Sequence, residues 1–140
     1  MAAFSILTLH LRAPLFYTAK AELDPFDYKP LDGEVLFCFE LNPAQYRCFE
    51  PGEPYLGPLI FKGKAMPQQA GADGFQLPRG TYLFAQVREN LPREAWIAMA
   101  KDIQQEGLWR RLPPEPRLYL RYLSEDGRIV TQVWRAFTGF

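Results

Sequence analysis

Histidine and cysteine are nearly absent from this chain: 140 residues hold one histidine, His10, and two cysteines, Cys38 and Cys48. That scarcity removes several chemistries. A nucleophilic Ser or Cys needs a base beside it, normally a histidine, and His10 sits between Leu9 and Leu11 in a strand-like run, where it reads as a structural or sheet-face residue. Pairing His10 with Cys38 across neighbouring strands is geometrically open and has no independent signal. There is no CxxC pair, so a zinc site lacks its usual ligand spacing. Neither GxGxxG nor GxxxxGK[ST] occurs, which leaves no phosphate-binding glycine signature. Glu40, Glu50 and Glu53 are carboxylates near a Pro/Gly-rich stretch, and nothing in their spacing marks a catalytic pair. No metal and no cofactor are expected.

Charge of one sign is also missing. Sixteen basic residues balance sixteen acidic ones, whereas nucleic-acid binders draw most of their affinity from a basic excess, so no nucleic-acid partner is expected. The start, Met1-Ala2-Ala3-Phe4, has neither the basic region nor the apolar run of a signal peptide, and no later stretch is long enough to span a membrane. Two cysteines without an export signal fit a reducing, cytoplasmic setting.

What the chain does have is ordinary globular composition, 48% hydrophobic and 23% charged. At this length residues 1–140 are read as a single domain. Aromatics are abundant at 15%, with 11 Phe, 7 Tyr and 3 Trp. They build either a bulky core or an aromatic-lined pocket or interface. The 13 prolines gather before Leu77 and at Pro113-Pro114-Glu115-Pro116, fixing many loop geometries in the first half.

Alternation marks the strands. Residues 4–11 are apolar on both faces and predict a central strand; Pro14 interrupts it, and 15–18 resume as an edge strand or arm. Residues 24–30 read as loop, and Val35-Leu36-Phe37-Cys38-Phe39 as an inner strand that buries Cys38 as a small hydrophobe. Prolines and glycines forbid a long element across 42–59, leaving a brief pairing at 46–49 and a short strand at 59–62. Gly57 to Gly63 is either a turn running into that strand or a pocket mouth. Residues 66–74 read as a mobile loop.

Residues 77–137 form one continuous unit. Leu77-Pro78-Arg79-Gly80 leads into a strand over 81–87. Asn90 is the expected cap of a helix over about 91–106, with Pro92 in its first turn and Gly107 as its left-handed stop. Trp96, Met99, Ala100 and Ile103 make its buried stripe, and Leu108 and Trp109 pack back. A hairpin over 117–123 and 128–134 turns at Asp126-Gly127. Its first strand puts Leu118, Leu120 and Tyr122 on one face and Arg117, Tyr119, Arg121 and Leu123 on the other. Its second opposes Ile129, Thr131, Val133 and Arg135 to Val130, Gln132, Trp134 and Ala136. The sheet therefore has one helix-covered face and one mixing arginines with aromatics. Such a face holds a carboxylate or a planar ligand, unless its arginines simply cross-pair with acidic neighbours.

The run Leu77-Pro78-Arg79-Gly80-Thr81-Tyr82-Leu83-Phe84, the helix, Trp109 near its end and the hairpin from Tyr119 to Asp126 resemble the second half of the GyrI-like small-molecule-binding domains. There a short opening strand precedes a strand–helix–hairpin unit, and two such units frame a ligand cleft. The resemblance implies a hydrophobic-ligand cleft. The family's acidic residue would fall near Leu120, so the usual carboxylate for cationic ligands is missing, and Arg121 favours an anionic ligand instead. The first half shows no counterpart helix.

The fold expected is α+β: a curved antiparallel sheet of six to eight strands with one main helix packed on one face. The function expected is a non-enzymatic domain binding an apolar or anionic small molecule in an aromatic cleft, with Tyr82, Trp109, Tyr119, Arg121 and Trp134 as walls and anchors. The alternative is a protein–protein interaction or homodimerisation module using an exposed aromatic surface and the Pro-rich region at 50–60.

Overall fold

The computed structural model describes residues 4–19, 34–41, 56–66 and 74–137. The expectations for 24–30, 46–49 and 67–73, and for Cys48, Glu50 and Glu53, lie outside the described residues.

Among the described residues, eight antiparallel strands and one helix follow in chain order: β1 (Leu7–Leu11), β2 (Leu15–Ala19), β3 (Glu34–Leu41), β4 (Leu56–Met66), β5 (Phe75–Leu77), β6 (Gly80–Val87), α1 (Arg93–Trp109), β7 (Pro114–Glu125) and β8 (Arg128–Phe137). They make one sheet in the order β1-β6-β8-β7-β3-β4-β2-β5. Its two ends are built from the same chain segments. Leu7 to Leu11 pair with Phe84 to Gly80, and Leu15 to Tyr17 pair with Leu77 to Phe75. Three residues, 12–14, face two, 78–79, where both segments turn the corner. The sheet is therefore strongly curved and barrel-like, with the extra residue acting as a bulge that sharpens the bend.

Curvature gives the sheet two different faces. The concave face carries a cluster to which every strand contributes, among them Leu9, Tyr17, Leu36, Cys38, Phe61, Phe75, Tyr82, Tyr119 and Trp134. The convex face carries Val35, Phe37, Leu83, Ala85, Leu118, Leu120, Tyr122 and Val133, and α1 lies over it. Trp96, Met99, Ala100 and Ile103 are the buried stripe of α1, as their spacing requires. Trp96 and Ile103 are fully buried, each stabilising by roughly 1.5–3 kcal/mol. The ring of Trp96 lies 5.4 Å from that of Phe39.

Several local expectations change. Asn90 is not the cap; Pro92 occupies that position, without a side-chain cap. Gly107 is not the stop but a buried residue inside the helix, because a Cβ there would stand 2.2 Å from Cε1 of Phe137. The reversal falls at Arg111, with φ of 58°. Arg111 N–H donates to Leu108 O and Leu112 N–H to Gly107 O, the Schellman pattern with arginine where glycine is usual. Trp109 does not pack back and is 79% exposed.

Among the described strands, β1 is at the edge and not central: its one described partner is β6, and Leu7 is exposed. Phe4 and Ile6 precede it and pack on the convex cluster, which explains the apolar residues on both faces. β2 is not an edge arm, since it pairs with both β4 and β5. β4 extends through eleven residues, Gly57 and Pro58 included. Its ladder with β3 slips between Cys38 and Leu41, where a residue lacking an N–H can be tolerated. The β7–β8 hairpin is longer at its base than the alternation implied. Its turn is as expected: Asp126 and Gly127 both have positive φ, 51° and 77°, as a two-residue type I′ turn demands.

No helix among the described residues is long and apolar enough to cross a membrane.

Candidate functional site

The concave face is ordered in cross-strand rows. Phe84 pairs with Trp134, Trp134 with Tyr119, Tyr119 with Cys38, and Cys38 with Phe61. The next row runs Gln86, Gln132, Arg121, Leu36 and Gly63 through the same ladders. An aromatic layer thus lies beside a polar one. Gly63 keeps the second row compact: a Cβ there would meet the Thr18 carbonyl oxygen at 2.1 Å.

The polar layer is a closed hydrogen-bond network. Arg121 donates from Nε and Nη2 to the Glu34 carboxylate, each at 2.8 Å, and from Nη1 to Gln132 Oε1 at 3.0 Å. Tyr17 also donates its hydroxyl to Glu34. Gln132 Oε1 accepts from Trp134 Nε1 as well, and its amide donates to Gln86. The guanidinium carbon of Arg121 lies 4.4 Å from the centre of the Trp134 ring. Buried polar groups are stable when they are paired in this way. Burial drives the Tyr17 hydroxyl well above its usual range; Arg121 opposes that shift and Glu34 adds to it.

Beyond the aromatic row the concave face opens. A cleft of about 550 Å³ is lined by the corner residues Pro78, Arg79, Gly80, Thr81 and Tyr82 on one side, and by Glu115, Pro116, Arg117 and Tyr119 on the other. The first wall is the β5–β6 corner, held by a hydrogen bond from the Tyr82 hydroxyl to Pro78 O. Gly80, with φ of 151°, allows the corner to be tight. The second wall bows outward because the β7–β8 ladder slips between Pro114 and Leu118. Buried Arg135 fixes that bow, donating to Glu115 O at 2.9 Å and to Gln104 Oε1 of α1 at 2.7 Å.

Tyr82 and Tyr119 meet at the inner end of this cleft, ring centres 6.2 Å apart and nearly perpendicular. Burial raises both hydroxyls. Tyr119 is pushed up to about 12 by burial first and by Cys38, with the nearby Arg117 guanidinium opposing. Cys38 is likewise pushed up to about 12, by burial first and by Glu40, with Arg117 opposing. It is a neutral thiol in the core, not a reactive thiolate.

Of the five residues expected at the site, Tyr82, Tyr119, Arg121 and Trp134 share the concave face. Trp134 lies 5.3 Å from Tyr82 by ring centres. Trp109 stands on α1, beyond the convex face. Of these five, Tyr82 and Tyr119 line the cleft; Arg121 is engaged by Glu34, and the Trp134 ring packs against its guanidinium. Sequence reasoning did not single out Glu34 or Tyr17, although Glu34 alternates in phase with Leu36 and Cys38. It also missed Arg79 and Glu115 as cleft residues. The alternating prolines at 114 and 116 were the available signal, since neither can donate to a ladder. His10 and Cys38 do not meet: His10 turns away from the face that carries Leu9 and Leu11 and touches Thr81 Oγ1 through Nδ1 at 2.9 Å.

No protein-family model matches this chain, and no curated protein does. Among the described residues, no group of three or more His, Cys, Asp or Glu side chains is placed to hold a metal ion.

Proposed function

We propose that this chain is a non-enzymatic small-molecule-binding domain, cytoplasmic, taking its ligand in the cleft between the β5–β6 corner and the bowed start of β7. The observation that carries the reading is the meeting of Tyr82 and Tyr119 at the inner end of a 550 Å³ hollow rimmed by charged side chains. Its size falls in the range of ligand sites, and an apolar floor with a few polar groups is their usual make-up. The resemblance of residues 77–137 to the GyrI-like domains supports the same reading. The protonated Cys38 and the outward His10 support a binding role rather than nucleophilic catalysis. A thermal-shift screen of apolar and anionic metabolites tests it: at least one class should raise the Tm, and a flat response to every class overturns the proposal.

A second reading, self-association, is favoured by one observation. Trp109 is 79% exposed, and Leu108, just before it, lines a hollow of about 520 Å³ with Leu112, Pro113 and Pro114 of the segment that follows. The partner in this reading is a second copy of the chain. Light scattering after size exclusion should then give a dimer that Trp109→Ser dissociates; a strict monomer removes it.

A further inference from the structure

The cleft has an uneven charge that the neutral chain as a whole does not share. Two guanidinium groups, Arg79 and Arg117, line it against one carboxylate, Glu115. The third concave-face arginine, Arg121, is already held by Glu34. Among the described residues neither Arg79 nor Arg117 forms a salt bridge. Glu40 stands opposite Arg117 across the β3–β7 ladder and still makes no ion pair with it. Arg117 lies near enough to Tyr119 and Cys38 to oppose the burial-driven rise of both groups, and it lines the cleft together with Tyr119.

We propose that the ligand of this cleft is a flat aromatic carboxylate, its anion held by Arg79 and Arg117 and its ring laid against Tyr82 and Tyr119. This rests on the ligand-binding reading above and names the chemistry of the ligand. Guanidinium groups match a carboxylate through paired N–H donors. Tyr82 and Tyr119 line the cleft but are only 2% and 5% exposed, so a planar body meets them at the small patch of aromatic surface left at its inner end. A cation would meet two like charges, and a purely apolar molecule would offer neither arginine an anion. Glu115, on the β7 wall, is placed to accept from a donor group on the ligand's rim.

The test uses 1-naphthoate and its neutral counterpart 1-naphthamide, titrated calorimetrically into the full chain. Naphthoate should bind, naphthamide about tenfold more weakly, and added salt should weaken the first and not the second. Arg79→Gln and Arg117→Gln should each bring naphthoate down toward naphthamide. Arg79 is exposed and has no described partner, so its variant reports charge without a folding defect. Arg88→Gln, which removes an arginine paired with Glu125 away from the cleft, should change neither affinity. Equal affinity for the two probes, or naphthoate binding unchanged in both arginine variants, overturns the carboxylate assignment. If neutral compounds raise the Tm while naphthoate does not bind, the assignment falls and the ligand-binding reading stands. If nothing binds or stabilises, both fall.

Discussion

Arg121 and Glu34, 87 residues apart in sequence, form a bidentate ion pair inside the curved sheet, roofed by the Trp134 ring. Their side chains are only 10% and 19% exposed, so neither charge is well hydrated if its partner is lost. Glu34→Leu should destabilise by about 3 kcal/mol, the cost of leaving one buried charge alone. The double variant Glu34→Leu with Arg121→Met should recover most of that loss. Urea unfolding of the two singles and the double checks it. Equal, additive losses would mean that the pair is not coupled.

The buried tyrosines make alkaline stability the sensitive direction. Tyr17, Tyr82, Tyr119 and Tyr122 all ionise above their ordinary value of 10.0 because they are buried. The unfolded chain therefore loses these protons first as pH rises. Their contribution is fully present below pH 10.0 and is lost as pH climbs toward the folded values, about 12 for Tyr119. Circular dichroism and tyrosinate absorbance followed together should show ionisation of these four side chains arriving with unfolding. Smooth ionisation near pH 10.0 in a folded chain would contradict their burial.

Gly107 should resist replacement even though alanine favours helix by about 1 kcal/mol. The added Cβ collides with the Phe137 ring, and overpacking of this kind costs about 1–3 kcal/mol. Gly107→Ala should therefore lower the Tm, and Gly107→Ala with Phe137→Leu should restore part of it. A stabilised single variant would show that α1 does not sit against Phe137.

Arg111 is a left-handed non-glycine residue at a helix end. Arg111→Gly should stabilise by about 1 kcal/mol, the usual penalty a side chain adds in that conformation. Thermal unfolding of this exposed site gives the answer directly, and a loss of stability would place the helix end elsewhere.

Much of the sheet and helix was legible before any coordinates. The hairpin faces, the Asp126-Gly127 turn, the inner strand at β3 and the buried stripe of α1 all follow from periodicity, because period 2 and period 3.6 commit each side chain to one face. The concave face as a mixture of arginines and aromatics was legible for the same reason. What was not legible has physical causes too. Gly107 is a good helix stop by local chemistry, and only the approach of Phe137, thirty residues on, makes it an interior position. Apolar residues on both faces of 4–11 suggested a central strand, when two of them precede β1 and pack beneath α1. The residues expected at the site divide in the same way. Four share a face because alternation placed them there. Trp109 stands apart because a helix end points where the helix packs, and packing is a property of the whole sheet.

The chain by itself determined its elements and the faces of its strands. It also determined the scarcity of histidine, cysteine and net charge that narrows its chemistry. Only the tertiary structure decided that Glu34 claims Arg121 while Arg79 and Arg117 stay without an ion-pair partner among the described residues. Strand register and sheet curvature set those distances. Both arise from contacts between residues far apart in sequence, which no local pattern encodes.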